Sequence, residues 1–143
     1  MTTAELHREY RDLSRWSFGD SAALADELLA LVLAGRKTAT WGALRQYEAE
    51  GVALPKPGER SVVLDGSGRP ACVIETTEIA IKRFDEVDSA FAHDEGEGDR
   101  SYEYWRRTHE GYFRKFGPFS TDMALVCERF RLIQILTAEE GAL

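Results

Sequence analysis

Residues 60–81 of this chain have the sequence RSVVLDGSGRPACVIETTEIAI, and this stretch decides the fold. Two runs rich in Val, Ile and Thr, residues 60–65 and 71–81, flank the turn-forming Gly66-Ser67-Gly68. β-Branched residues on both sides of a short glycine turn predict a β-hairpin. A third β-type run, residues 123–136, closes the chain. We therefore expect a small, strongly curved sheet or barrel.

Helical patterns surround the hairpin, and they predict helices over residues 20–35, 40–50, 84–92 and 101–116. Asp20 is the predicted N-cap of the first of these helices, and Gly35 is placed to end it. Thr2 and Glu5 have the spacing of a capping box before a further helix over residues 6–13. The order of helices, hairpin, helix and strand predicts an α+β domain.

The charge of the chain is concentrated in one segment. The 143 residues carry a formal net charge of −7. Residues 84–103 contain eight acids and one base, so this window accounts for the whole excess and the rest of the chain is neutral. A charge-balanced domain with one acidic segment is not excluded from contact with nucleic acid, whereas a uniformly acidic protein would be.

Several protein classes are excluded by composition. A chain of 143 residues with 43% hydrophobic residues is long and apolar enough to be one globular domain, not a disordered chain. No apolar run is long enough to span a bilayer, and the first residues lack the pattern of a secretory signal. Cys72 and Cys127 lie in apolar runs and are expected to be buried thiols. We expect a cytoplasmic protein that contacts no membrane.

The segment Gly35-Arg36-Lys37-Thr38-Ala39-Thr40 is the first candidate for chemistry. If a helix begins near Thr40, free backbone amides there would attract an anion or a developing oxyanion. Lys37 would add a cation and Thr40 a hydroxyl, the elements of an activated threonine nucleophile or a phosphate clamp. The alternative is a capping threonine beside a solvated lysine. The segment lacks the glycine-rich loop of a P-loop.

Two glutamates lie inside apolar strand patterns. Glu75 follows Cys72-Val73-Ile74, and Glu128 follows Leu125-Val126-Cys127. A carboxylate on a buried face is costly unless it is paired. Pairing with Lys82, Arg129 or Arg131 is the favoured interpretation for both, and lining a polar cavity is the alternative.

The acidic loop over residues 93–99 alternates acids with glycines. Hard cations bind such oxygen ligands, but the spacing does not fit an EF-hand and no His or Cys cluster supports zinc. A solvated loop is the favoured interpretation, and one acid turned into a cleft as a general acid or base is the alternative. We predict no metal site.

The helix over residues 101–116 interleaves aromatic and basic side chains, which suits base stacking and phosphate binding. The alternative is an amphipathic helix with the aromatic stripe in the core and the bases in water. His109 alone is expected to be a packed or exposed histidine.

Taken together, these stretches resemble the ASCH domain of the PUA-like superfamily. The resemblance rests on the G-x-K-T-x-T element at 35–40, the strands 62–64 and 71–75, the segment 91–96 followed by Trp105, and the closing strand 125–130. It implies a small mixed β-barrel with flanking helices. It divides the chain into an N-terminal helical extension (1–19), an ASCH domain (20–137) and a C-terminal tail (138–143).

The resemblance also implies a link to RNA or modified nucleosides. Some ASCH proteins deacetylate N4-acetylcytidine with a lysine, a threonine and a glutamate, which correspond here to Lys37, Thr40 and Glu95. Others are linked to ribonuclease activity. The amidohydrolases tend to have an arginine two residues after the threonine, where this chain has Gly42. The residues predicted to contact the ligand are Arg36, Thr38, Trp41, Arg45, Glu75, Tyr104, Trp105 and Arg106.

Three functions follow as hypotheses. The first is binding or cleavage of single-stranded RNA by a monomer or homodimer, with a basic face formed by Arg36, Lys37, Arg45, Arg106 and Arg107. The second is cofactor-independent hydrolysis of an acylated nucleoside at Lys37 and Thr40. The third is nucleotide binding without chemistry. Glu75 and Glu128 remain alternatives to Glu95 as the functional acid.

Overall fold

The computed structural model describes residues 10, 12–116 and 118–137. Five strands and four α-helices are present in this part of the chain. In chain order they are β1 (Ser14–Trp16), α1 (Ala22–Leu33), β2 (Ala39–Ala43), α2 (Leu44–Glu50), β3 (Arg60–Leu64), β4 (Pro70–Arg83), α3 (Ser89–Glu95), α4 (Tyr102–Phe116) and β5 (Ala124–Ile135). A single 3₁₀ turn, Phe84–Glu86, joins β4 to α3.

The strands form one curled sheet in the order β1-β3-β4-β5-β2. β1 pairs in parallel with β3, and every other pair is antiparallel. The register of β4 against β5 shifts at Val73/Ile74 and again at Thr76/Glu78. Such irregularities bend a strand and increase its twist, which allows the two longest strands to curl. The predicted α+β fold with a small curved sheet and flanking helices is confirmed.

The helices cover the sheet through two main apolar clusters. Phe84, Phe91, Trp105 and Phe113 pack α3 and α4 against the β2–β5 end of the sheet. In the second cluster α1 packs against β3, β4 and β5, through residues that include Leu28, Leu29, Val32, Val63, Ile74 and Phe130. Cys72 lies in one cluster and Cys127 in the other, both as free buried thiols, as expected.

The start of the domain differs from the prediction. Residues 14–16, assigned from sequence to a helical extension, form a strand that pairs with residues 61–63. Trp16 Nε1 donates to Ser61 Oγ at 2.9 Å, which ties this strand to the sheet. The N-cap of α1 is Ser21 and not Asp20, because the Ser21 hydroxyl accepts from the Leu24 amide. Residues 1–9 and 138–143 lie outside the described residues, so the capping box at Thr2 and Glu5 and the C-terminal tail stay predictions.

The segment around Thr40 also differs from its predicted structure. Thr40 was expected at a helix N-terminus, but residues 39–43 form β2 and the following helix begins at Leu44. The Thr38 amide donates to Asp94 O at 2.7 Å. The prediction of an anion site made of free helix amides is therefore wrong. Residues 39–43 pair with β5, and this tertiary pairing overrides the local signal for a helix.

No helix in the described ranges is long and apolar enough to cross a membrane.

Candidate active site

Lys37 is a buried cation at the base of the site. Only 2% of the residue is exposed. Its Nζ donates to Ala39 O at 2.9 Å, to Glu95 O at 3.3 Å and to Glu97 Oε2 at 3.0 Å. Three acceptors match the three protons of an ammonium group. The alternative that Lys37 is a solvated surface lysine is therefore wrong.

A sharp turn after α3 brings the acidic loop to this lysine. Gly96 ends α3 in the left-handed conformation, with φ 72°. A Cβ at this position would lie 2.4 Å from Arg36 O, so only glycine fits. The Arg36 guanidinium in turn donates to Gly96 O and Gly98 O, both at 2.6 Å. These bonds hold residues 96–98 against residues 36–38 and direct Glu97 toward Lys37.

A cavity of about 750 Å³ opens in front of Lys37. Thr40, Trp41, Glu97, Tyr104 and Glu128 are among the residues that line it together with Lys37. Its charged lining residues are two bases and six acids, namely Arg15, Lys37, Asp20, Glu27, Glu50, Glu59, Glu97 and Glu128. The cavity lining therefore carries an excess of acids and one buried ammonium group.

Thr40 and Glu128 lie side by side in this cavity. They are direct partners across the antiparallel β2–β5 pair, so their side chains are on the same face of the sheet. Thr76 Oγ1 donates to Glu128 Oε2 at 2.7 Å. Burial raises the pKa of Glu128, the Thr76 bond opposes this rise and the nearby Glu59 adds to it. Glu128 lines the cavity and forms no ion pair with a basic residue in the part of the chain that the structure describes, which corrects the favoured prediction.

Tyr47 closes the wall next to Glu128. Its ring packs over Gly42, where a Cβ would lie 2.9 Å from the ring. Burial, followed by the charges of Glu128 and Glu50, raises the pKa of Tyr47. The tyrosine occupies the space that a side chain at residue 42 would need.

Glu95 lies behind the cavity rather than in its lining. Its side chain is completely buried, and neither carboxyl oxygen has a hydrogen-bond partner among the described residues. Burial raises the pKa of Glu95 well above its ordinary value. The charge of Lys37 opposes that rise and the charge of Glu97 adds to it. The carboxylate that meets the lysine ammonium is consequently that of Glu97.

His109 joins this buried group to the cavity wall. Trp41 Nε1 donates to His109 Nε2 at 2.7 Å, so the proton of the neutral ring resides on Nδ1. The same Nε2 lies 3.7 Å from Glu95 Oε2. Burial and the charge of Lys37 lower the pKa of His109 to about 3. The imidazole is thus neutral and fixes the orientation of Trp41.

Glu95, Glu97 and His109 have ligand atoms within 4.8 Å of one another, which makes them a possible cation-binding group among the described residues. Lys37 Nζ already lies 3.0 Å from Glu97 Oε2, however. His109 Nε2 also accepts the Trp41 proton. The counter-charge of this acidic cluster is therefore the lysine ammonium.

The remaining predicted contact residues do not line the cavity. Glu75 is held by Arg60 at 3.1 Å and Arg131 at 2.8 Å, so the favoured pairing interpretation is correct for this glutamate. Trp105 is 2% exposed and belongs to the core. Thr38 is exposed beside Asp94.

The predicted basic face is not assembled. Arg36 binds the loop carbonyls of residues 96 and 98, and Arg45 donates to Pro118 O at 2.8 Å. Lys37 is buried, while Arg106 and Arg107 are exposed on α4. Only Lys37 of these five bases lines the cavity.

Sequence reasoning did not assign four residues to the site, Glu97, Thr76, Tyr47 and His109, although His109 was expected to be packed or exposed and is buried. Glu97 belongs to the same Glu-Gly alternation as Glu95, and the pattern alone does not distinguish the two glutamates. The other three carry no local signal, because their positions depend on strand register and helix packing.

Comparisons with known proteins agree with this fold. Residues 14–134 match the model of a family described as the ASCH domain. A solved structure of a protein from Enterococcus faecalis is 35% identical, with a TM-score of 0.79, over 89% of this chain and 80% of that one. An ASCH domain from Lactobacillus crispatus is 31% identical, with a TM-score of 0.77, over 90% and 84% of the two chains.

An ASCH protein from Zymomonas mobilis, solved as a Y47F mutant, is 13% identical with a TM-score of 0.51, over 80% of this chain and 71% of that one. At that identity the likeness is one of fold alone. No curated protein matches this chain.

Proposed function

The chain belongs to the ASCH domain family, and from this premise we propose that it hydrolyses the amide of a small N-acylated nucleoside, of which N4-acetylcytidine is the type. The observation that carries the proposal is the convergence of Lys37, Thr40 and Glu97 on one cavity. Hydrolysis would proceed by attack of Thr40 Oγ on the acyl carbon, followed by release of the acyl group to water.

Lys37 is suited to activate Thr40. Its Nζ donates to Ala39 O, the carbonyl of the peptide that leads into Thr40, so the amine lies next to the backbone of Thr40. Lysine becomes a base only after it loses a proton, and Glu97, 3.0 Å away, is the group that can take it. A neutral Lys37 then accepts the hydroxyl proton as Thr40 attacks. Glu97 thereby fills the role that the resemblance gave to Glu95.

The charge of the cavity favours a neutral ligand over a polyanion. Six of the eight charged side chains in the lining are acidic. Phosphate groups supply much of the affinity of nucleic-acid binding, and this acidic lining would repel them. A volume of about 750 Å³ also lies in the range of small-molecule sites.

The test is deacetylation of N4-acetylcytidine by the wild-type protein and by Lys37→Ala, Thr40→Ala and Thr40→Ser. We expect both alanine variants to lose turnover, and Thr40→Ser to retain part of it because the hydroxyl remains. Equal turnover by all four proteins would eliminate the proposed catalytic pair. Thermal unfolding of each variant separates loss of the nucleophile from loss of the fold.

Single-stranded RNA is the second candidate ligand, and the exposed face of α4 favours it. Tyr104 and Tyr112 are among the residues that line the cavity, and Arg106 and Arg107 are exposed on the same helix. Aromatic side chains next to bases suit stacking with phosphate contact. We would measure binding of a labelled RNA oligonucleotide at increasing salt, with Arg106→Ala/Arg107→Ala as the variant. Affinity that is insensitive to both salt and the variant would reject this candidate.

A further inference from the structure

Glu128 is a cavity carboxyl that the mechanism above does not use. Only 7% of the residue is exposed, and its side chain lines the cavity. Oε2 is held by Thr76, whereas no hydrogen-bond partner for Oε1 occurs in the described ranges of the chain. One oxygen is therefore fixed and the other remains available to a ligand.

The position of Glu128 relative to Thr40 is set by the sheet. Directly opposed residues of an antiparallel pair have Cβ atoms about 4.5–5.5 Å apart. An acyl carbon attacked by Thr40 Oγ carries its nitrogen one bond away, so the nitrogen falls within reach of a carboxyl on the neighbouring strand. Amide cleavage needs this nitrogen to be protonated as it leaves, since an amide anion is a very poor leaving group.

We propose that Glu128 is a second catalytic carboxyl, which donates a proton to the leaving nitrogen when an amide is cleaved at Thr40. This inference rests on the amide hydrolysis proposed above. As the bond between Thr40 Oγ and the acyl carbon forms, Lys37 takes the hydroxyl proton. As the carbon–nitrogen bond breaks, the nitrogen receives the proton of Glu128, which becomes a carboxylate.

The second half of the reaction restores both groups. Water attacks the Thr40 ester and gives one proton to the Glu128 carboxylate. The carbon–oxygen bond to Thr40 then breaks, and the threonine oxygen recovers its proton from Lys37. The free acid and the free amine leave, and no further reactant is needed.

The surroundings of Glu128 support an acid that holds its proton. Two titratable groups interact with the charge of Glu128, namely Glu59 before β3 and Tyr47 on α2. Glu50 on α2 and Lys37 line the same cavity. Burial disfavours the charged form of Glu128 and raises its pKa. Donation to the nitrogen therefore weakens as the pH rises through the pKa of Glu128.

The test compares two substrates that differ in their need for a proton. N4-acetylcytidine releases an amine, whereas 4-nitrophenyl acetate releases a phenolate that needs no acid. We expect Glu128→Gln to lower kcat for the amide about 10²-fold or more, while the rate of the Thr40-dependent burst of 4-nitrophenolate, which reports formation of the Thr40 ester, stays near wild type. Glu128→Asp should restore part of the amide activity. Glu48→Gln, an exposed change of the same charge on α2, is the matched control.

Each other outcome is decisive. If Glu128→Gln lowers amide turnover and the rate of the 4-nitrophenolate burst equally, or lowers neither, the role of Glu128 is overturned while the Thr40 mechanism survives. If the wild-type protein hydrolyses neither substrate in a Thr40-dependent way, the proposed function fails and this inference fails with it. A wild-type burst of 4-nitrophenolate from Glu128→Gln also shows that the variant is folded. Loss of the high-pH limb of kcat in this variant separates proton donation from a structural role.

Discussion

Lys37 Nζ lies 3.0 Å from Glu97 Oε2, and these two residues are the buried ion pair of the cavity. They are sixty positions apart and belong to no common element. Glu97 is the charge partner of the lysine, and in the proposed mechanism it is also the acceptor of the lysine proton. This ion pair therefore connects the segment after α1 to the acidic loop, and the two segments together form the site.

Replacing Glu97 tests the ion pair. Glu97→Gln removes the negative charge and leaves the buried ammonium with neutral acceptors only, so we expect a loss of about 1–3 kcal/mol in the free energy of unfolding. Amide hydrolysis should fall much further, because Lys37 then has no group to take its proton. Urea unfolding and steady-state kinetics measure the two effects. Glu95→Gln is the comparison, and a larger kinetic loss in that variant would return the role to Glu95.

We expect the buried carboxyl group of Glu95 to make the stability of the folded protein depend on pH. The pKa of this buried carboxyl is raised in the folded protein, so above pH 4.5 the unfolded chain releases a proton that the folded protein keeps. Stability is then lost as the pH rises, at about 1.4 kcal/mol per pH unit until the folded pKa is reached. Glu95→Gln cannot ionise and should lose less stability between pH 5 and pH 7.5. Parallel unfolding curves for the two proteins would contradict the raised pKa.

For His109 we expect the opposite pH dependence of stability, with a loss as the pH falls. The pKa of His109 is about 3 in the folded protein, whereas its ordinary value is 6.5. The unfolded chain therefore binds a proton at a higher pH than the folded protein does. Stability is therefore lost below about pH 6.5, again by about 1.4 kcal/mol per unit. His109→Gln retains an acceptor for Trp41 without this titration. Chemical unfolding at pH 6.5 and pH 4.5 should show a smaller loss for the variant, and an equal loss would refute the assignment.

Gly96 and Gly35 form a matched pair of substitutions. Both have a positive φ, of 72° and 76°. A Cβ at Gly96 would meet Arg36 O at 2.4 Å, whereas nothing lies within 4 Å of a Cβ at Gly35. Gly35→Ala should cost about 1–2 kcal/mol for the left-handed conformation alone, and Gly96→Ala should cost more. Thermal unfolding compares them, and activity should fall only in Gly96→Ala because Glu97 moves.

The elements of the fold were largely predictable because their signals are local. The glycine turn at 66–68 and its flanking β-branched runs gave the hairpin, and the apolar spacing of residues 22–33 gave α1. β1 was not predictable, since three residues of strand are stabilised by a distant partner and by the bond from Trp16 to Ser61. Thr40 was wrongly predicted at a helix N-terminus because its strand, too, is stabilised by a distant partner, β5.

Within the site, the spacing of Lys37 and Thr40 was visible in the sequence, and both residues line the cavity. The acids were not distinguishable by pattern. Glu75 and Glu128 both follow apolar strand residues, yet one is bound by two arginines and the other faces the cavity. The difference lies in which strand is opposite each of them.

By itself the sequence determined the local features of this protein: a hairpin-centred α+β domain, a lysine three residues before a threonine, and an excess of negative charge confined to residues 84–103. The tertiary structure alone decided which carboxyl groups serve the site. Glu97 reaches Lys37 because Gly96 turns the chain against Arg36, and Glu128 meets Thr40 because of the β2–β5 register. Both contacts join residues far apart in sequence, and no local pattern encodes them.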